Sequence, residues 1–347
     1  MSIHIYKVFK LEKIAFFTNF VTKLNPNPLQ RERVGVREQL CYNSNMIKQG
    51  DTIGIIALGG KCEQSLVMQA VQNIEAMGYK VKLSKNIYDQ ERYLAGSDED
   101  KLEALYEFFR DPEIKLILNA RGGYGSIRLI NKINYEIIKA NPKPFCGYSD
   151  ITALLLMFYK KCGLITYHGP MACSDFTISP SPRRRDGVES FLADENLRNA
   201  QNGYTLSNFF KAINNESLEF TGTKIYKQGL AEGILWGGNL STVASLCGQD
   251  FIPDEDFIFF AEDLNEPVYK IDKMFTQMFN IDKFRRYCKG IILGDFLNVD
   301  NKEWLEELFF SFVQPTVGGF KITHAEEKIT LPVGKKAILN NENLSVL

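Results

Sequence analysis

Residues 143–163 read "KPFCGYSDITALLLMFYKKCG". A short apolar run at Phe145 and Cys146 meets a Tyr-Ser-Asp corner, and a second apolar run follows. Ile151, Leu154, Leu155, Leu156, Met157 and Phe158 leave that second run apolar on nearly every side. A helix of this kind is buried. A strand, a polar corner and a buried helix form the repeating unit of a parallel sheet covered by helices. The corner is either an inert loop or a place where Ser149 stands at the start of a rigid helix, as a nucleophile requires.

The same alternation extends outward. From Thr52, "TIGIIAL" is an apolar strand closed by Gly59 and Gly60, and "EQSLVMQAVQNIEAMG" has helical spacing with Gly78 as its stop. "YKVKLS" is a strand. "GSDEDKLEALYEFFRD" opens on a Ser97 cap with acids in its first turn, where the helix dipole favours them. "IKLILNA" is a buried strand that runs into the glycine loop "RGGYG". This order predicts an open, mostly parallel sheet with helices on both faces, of flavodoxin- or Rossmann-like type. After weaker periodicity over 171–228, alternation resumes at "AEGILWGGNLS", "DFIFFAED", "PVYKIDKMFTQMF", "KGIILGDF" and "KEWLEELFFSF". "KITLPVGKKAILN" reads as one short β segment near the end.

The expected organisation is a nucleophile-bearing α/β domain over 46–170, a linker or lid over 171–228, and a smaller C-terminal α/β domain over 229–347. Residues 1–45 fit none of these patterns. They read as an extension, disordered or upstream of the true start, with Met46 the natural alternative start.

The chain has 347 residues and a formal net charge of −1, so it carries no basic field that would imply a nucleic-acid partner. The local run Arg183 to Arg185 reads as a solvated loop. No stretch approaches the ~18 consecutive apolar residues of a membrane span. The seven cysteines, Cys41, Cys62, Cys146, Cys162, Cys173, Cys247 and Cys288, are odd in number and never spaced as CxxC. This usage argues against a disulfide framework or a zinc site and for a reducing compartment.

Only three histidines, His4, His168 and His324, are available as a general base. His4 lies in the extension, and the sequence pattern leaves His168 and His324 both open. Ser149 matches a nucleophile elbow in position but not the G-x-S-x-G pattern, because Ile151 stands where the second glycine belongs. The Asp150 backbone N–H is placed to receive an oxyanion, and the "RGGYG" glycines are candidates for a second donor. That loop matches neither a P-loop nor a dinucleotide fingerprint. Glu262 and Asp263 end a strongly apolar strand, where a carboxylate can orient an imidazole.

Seven stretches in order, "YLAGSDEDKLEAL", "LNARGGYGSIRLI", "FCGYSDITALL", "YHGPM", "EGILWGGNLS", "FFAEDLNEPVYKIDKM" and "THAEEKITLPVG", resemble the LD-carboxypeptidase family of serine peptidases. That family includes muramoyl-tetrapeptide carboxypeptidases and microcin C immunity peptidases. The resemblance spans about residues 46–347. It implies two domains with the active site between them and a Ser-His-Glu triad. The nucleophile then falls on Ser149, the acid on Glu262 and the base on His324, with oxyanion donors at Gly123 and Asp150. Thr323 and Ala325 flank the histidine where glycine is frequent, and Lys273 replaces a common arginine. None of these departures removes a catalytic atom.

The implied activity is release of terminal D-alanine from a cytoplasmic murein tetrapeptide in peptidoglycan recycling, with no cofactor or metal, by a homodimer. Arg121 is a candidate to bind the substrate's terminal carboxylate or to form a structural ion pair. Two alternatives stand beside it. One is a microcin C-type immunity peptidase, whose nucleotide substrate calls for an aromatic platform. Phe176, Phe191, Tyr204, Phe209, Phe210, Phe220 and Tyr226 are the aromatics available over 171–228. The other is an inactive ligand-binding protein on the same fold.

Overall fold

The computed structural model describes residues 46–177 and 203–347. The N-terminal extension, with His4 and Cys41, lies outside the described residues, as do Arg183 to Arg185 and Phe191. No helix among the described residues is long and apolar enough to cross a membrane.

The first half builds a parallel sheet from β1 (Thr52–Ile56), β2 (Lys80–Leu83), β3 (Ile114–Asn119), β4 (Phe145–Gly147) and β5 (Thr166–His168). They lie in the order β2-β1-β3-β4-β5, with every neighbouring pair parallel. This is the flavodoxin-type order. Helices α1 (Gln64–Ala76), α2 (Asp98–Arg110), α3 (Tyr135–Ala140) and α4 (Thr152–Cys162) make the crossovers. Ser97 caps α2 in a reciprocal capping box with Asp100. In α4 nine of the eleven residues are buried, and Phe158 packs edge-on to Phe109 and Phe145. The order of strands reverses between β1 and β3, so the loops that leave their C-terminal ends face each other across a crevice.

Short α5 (Ala172–Asp175) follows β5, and α6 (Gly203–Ile213) opens the next described stretch. The second sheet has a parallel centre of β8 (Leu230–Asn239), β9 (Phe257–Leu264), β10 (Cys288–Leu297) and β11 (Thr316–Gly318). Its antiparallel flanks are β6 (Leu218–Thr221), β7 (Lys224–Lys227), β13 (Lys336–Asn340) and β14 (Asn343–Val346). Around it stand α7 (Leu240–Ser245), α8 (Val268–Phe279), α9 (Asp282–Tyr287) and α10 (Lys302–Phe310). Trp236, Phe257, Phe259, Phe275 and Phe284 pack into an aromatic core there.

Strands β6 and β7 end the strand order on opposite sides, β6-β14-β13-β8-β9-β10-β11-β7. Only Gly222 and Thr223 separate them in sequence. In a flat sheet the outermost of eight strands would stand about 34 Å apart, whereas the step between β6 and β7 reaches at most about 10 Å. The sheet therefore curls until its ends meet at this corner. Gly222 N–H bonds to Glu342 and Thr223 N–H to Gly318, one on each side of the closure. A side chain at Gly222 would stand 2.4 Å from Val317, so the corner has no room for one.

The stretch "KITLPVGKKAILN", expected as one β segment, divides into two. Strand β12 (Leu331–Val333) pairs antiparallel with β5 in the first sheet, whereas β13 pairs with β8 in the second. The chain changes sheets at Gly334, whose φ of 93° suits glycine. Likewise β6 and β7 come from the stretch expected as linker and belong to the second sheet.

Candidate active site

Ser149 sits directly after β4 with φ of 59°, in the left-handed region that a residue with a side chain enters only under constraint. A 3₁₀ turn, Ser149–Ile151, then leads into α4, so the helix begins one tight turn later than the sequence pattern implied. Ser149 is half-buried while Tyr148 and Asp150 on either side are buried. Strand, strained serine and buried helix have the geometry of a nucleophile elbow.

Asp150 contributes a side chain as well as a backbone amide. Its carboxylate accepts the Ser126 N–H at 3.0 Å, and its carbonyl accepts the Ser126 hydroxyl. Burial raises its pKa, opposed by the Ser126 and Gly125 hydrogen bonds and by the Lys101 charge. The carboxylate thus ties the glycine loop after β3 to the serine turn. Gly122 lies closest to the serine: a Cβ there would be 3.2 Å from Ser149 Oγ and 3.4 Å from Asp150 N. Gly60 N–H in turn bonds to the Gly122 carbonyl at 2.8 Å, which joins the loops after β1 and β3. Gly123, with φ of 94°, is exposed beside a pocket of about 480 Å³ lined by Gly60, Lys61, Tyr93, Arg121, Gly123 and Tyr124. This pocket occupies the crevice where the strand order reverses. Arg121 donates to the Lys61 carbonyl at 3.0 Å.

The second sheet carries the carboxylate that meets His324. Glu262, on β9, is fully buried and its Oε2 lies 2.7 Å from His324 Nδ1. Burial raises the Glu262 pKa, opposed by hydrogen bonds to His324 and Asn239, while Asp263 adds to the rise. His324 stands in the irregular stretch between β11 and β12, with its side chain 15% exposed. Its ring meets the Tyr148 ring edge-on, 5.0 Å between centroids. Tyr148 immediately precedes Ser149, so the serine turn and the histidine stretch are neighbours through that ring. His168 is buried between the Phe260 and Tyr148 rings, and burial, with the His324 and Lys328 charges, pushes its pKa down to about 3.

The end of β8 brings the two sheets together. Asn239 N–H donates to the Thr152 hydroxyl at the start of α4, 3.2 Å away. A Cβ on Gly238 would stand 2.5 Å from Thr152, and one on Gly237 would stand 1.9 Å from the Phe260 carbonyl. Asn239 also donates to Asp263 at 3.0 Å, and Asp263 accepts the Ser241 N–H at 2.8 Å. The Glu-Asp pair therefore divides its work: Glu262 meets the imidazole, and Asp263 braces the β8–α7 turn. Sequence reading included Gly122 only among the "RGGYG" glycines and missed Thr152, Asn239 and the structural use of Asp263. The double glycine before Asn239 was the visible signal, a strand end where backbone must approach closely. Among the described residues no His, Cys, Asp and Glu side chains gather into a metal-ligating group of three or more. The six described cysteines are free thiols.

Two packed α/β layers with a strained serine at the crevice define a class, and comparison with known proteins specifies it. A muramoyltetrapeptide carboxypeptidase from Oxalobacter formigenes superposes with a TM-score of 0.70 at 26% identity, covering 85% of this chain and 97% of its own. Residues 53–169 match the LD-carboxypeptidase N-terminal domain, and residues 232–339 match the LD-carboxypeptidase C-terminal domain. A Bacillus subtilis (strain 168) protein named "Probable murein peptide carboxypeptidase" is 34% identical over 87% of this chain and 92% of its own length. The Escherichia coli microcin C7 self-immunity protein MccF is 30% identical over 86% of this chain and 93% of its own. The chain belongs to the LD-carboxypeptidase family of peptidases.

Proposed function

We propose that this protein is a serine-type LD-carboxypeptidase that hydrolyses the L,D-peptide bond of murein tetrapeptide and releases terminal D-alanine. The observation that carries the reading is the 2.7 Å contact between His324 and buried Glu262, reached through Tyr148 from the strained Ser149 turn.

In this reading His324 takes the Ser149 proton as the hydroxyl attacks the scissile carbonyl, then returns it to the leaving amine of D-alanine. Glu262 holds the Nδ1–H tautomer and stabilises the imidazolium. Its burial strengthens that interaction, because little solvent screens it. The Gly123 and Asp150 amides receive the oxyanion, and losing one such donor costs on the order of 10²–10³ in rate. Water then cleaves the acyl-enzyme by the same proton path in reverse. Arg121, lining the pocket beside Gly123, is suited to a terminal carboxylate, and Lys61 adds a second cation there. The reading also places the enzyme in the cytoplasm, where free thiols persist, as a homodimer that sedimentation analysis can test. The same division of labour would join a nucleophile-bearing domain over 46–170, completed by β12, to an acid- and base-bearing domain that takes in β6 and β7 as well as most of 229–347.

Mass spectrometry of products tests the assignment. The wild-type protein should release D-alanine from a murein tetrapeptide, and Ser149→Ala should lose that activity by on the order of 10⁴-fold or more while its circular dichroism is unchanged. Undiminished turnover by the folded variant would refute the nucleophile. A parallel incubation with an aminoacyl sulfamoyl adenosine reads out the immunity-type reaction. Cleavage of that compound alone would overturn the murein substrate.

A further inference from the structure

His324 lies in the irregular stretch 319–330, tied to β10 on its N-terminal side by Asp295 N–H to the Ile322 carbonyl at 2.9 Å and by Phe320 N–H to the Leu293 carbonyl at 3.4 Å. The Lys321 carbonyl accepts Ile329 N–H at 2.9 Å, and Ala325 N–H folds back on the Thr323 hydroxyl at 2.9 Å. On its C-terminal side the tether is a side chain four residues after the histidine. The Lys328 ammonium forms an ion pair with Asp175, and both side chains are only 4% exposed. Asp175 belongs to α5, which follows β5 of the first sheet, and its second oxygen accepts Met171 N–H at 2.8 Å. Lys328 N–H donates to the Thr205 hydroxyl on α6 at 2.9 Å, and that hydroxyl donates to the Glu326 carbonyl at 3.0 Å.

The same ammonium stands 4.4 Å from the centroid of the Tyr148 ring and 3.4 Å from its hydroxyl. Tyr148 is the residue before Ser149, and its ring packs edge-on against the His324 imidazole. One buried cation therefore touches the segment that carries the serine and anchors the segment that carries the histidine. Burying two charges gains little stability over an apolar pair of similar volume. A packing role alone therefore leaves this arrangement unexplained, whereas alignment of two separately supported groups accounts for it.

We propose that Lys328, paired with Asp175, is a positioning residue: by clamping the Tyr148 ring it sets the His324 imidazole relative to Ser149. The inference rests on the serine-peptidase reading above. It gives the ion pair a role in rate, exerted through another residue and without contact to substrate.

Steady-state kinetics on murein tetrapeptide and NMR of the histidine ring protons test it together, using Lys328→Met, Lys328→Arg and the double variant Lys328→Met/Asp175→Leu. Lys328→Met should lower kcat by about 10- to 100-fold with KM within about twofold, as expected of a misplaced base and an intact binding site. Lys328→Arg, which keeps the cation over the ring, should recover most of that loss. The double variant removes both charges, so it leaves no unpaired buried charge; its thermal midpoint falls only by what the freed Met171 N–H costs, and it still shows the low kcat. In the NMR spectrum the His324 ring signal should move in Lys328→Met and in the double variant, because the Tyr148 ring current changes, and stay near wild type in Lys328→Arg. If the single methionine variant does not fold, the double variant decides. Wild-type kcat with an unmoved His324 signal in the double variant would overturn the proposal. Absence of D-alanine release by the wild-type protein would instead refute the proposed activity, and the ring signals would still report whether Lys328 positions His324.

Discussion

Ser149 holds a left-handed backbone at φ 59°, a conformation that costs a residue with a side chain about 1–2 kcal/mol. The close approach of Gly122 explains what that strain secures: open space beside Oγ that even a methyl group would occupy. Gly122→Ala is therefore expected to lower kcat/KM by ~10²-fold or more while the thermal midpoint moves by only a few degrees; a fully active alanine variant would show that this space is not used. His168 gives a separate prediction about stability. Its pKa of about 3 in the folded state lies below the ordinary histidine value because burial disfavours the cation. Between that value and about 6.5 the unfolded chain binds the extra proton, so stability rises with pH in this window. The contribution is complete above pH 6.5 and declines as pH falls, at up to about 1.4 kcal/mol per pH unit. Denaturation at pH 7 and pH 5 should show wild type losing more stability than His168→Leu, and parallel losses would contradict the assignment. At this scale the sequence pattern identified the serine corner and the carboxylate pair. It could not say which of Glu262 and Asp263 meets a histidine, because consecutive strand residues differ only in the face they take.

Among the elements, α4 and the end of β8 form the joint that holds the site. The apolar run of α4 made its burial legible, and the Ser97 cap and Gly78 stop of the first two helices were legible for equally local reasons. The joint was not, since it depends on Gly237 and Gly238 letting β8 close on Phe260 and Thr152. Both glycines have φ near 150°, and Gly238 has no space for a methyl group. Gly238→Ala should accordingly destabilise the protein by about 1–3 kcal/mol and also reduce activity, because Thr152 opens the helix that follows Ser149. Urea denaturation measures the first effect and tetrapeptide turnover the second; an alanine variant of unchanged stability would refute the close contact. The split of "KITLPVGKKAILN" was equally hidden. Its β character is local, but membership of one sheet or the other depends on partners more than a hundred residues away.

Over the whole described chain, β12 completes the first sheet from a segment that lies between β11 and β13 of the second. The first sheet therefore cannot form completely without this C-terminal segment, and the Asn239–Thr152 bond adds a link between the two sheets. Unfolding of the described body should be one cooperative transition. The chain has two tryptophans, and Trp236 is buried in the second sheet while Trp304 is exposed, so in a Trp304→Phe background fluorescence reports the second sheet alone. Its denaturation curve should coincide with that of far-UV circular dichroism; two separated midpoints would refute the coupling. The sequence by itself determined the alternating α/β architecture, the buried helix behind Ser149, the strand-end carboxylates and the family motifs, because each is written in the spacing of near neighbours. Only the tertiary structure decided that β6 and β7 close the second sheet, that β12 crosses to the first, that Gly122 faces Ser149, and that "GYSD" supplies a tyrosine as well as a serine and an aspartate to the site. Those outcomes follow from close packing and strand pairing between distant segments, which local periodicity does not encode.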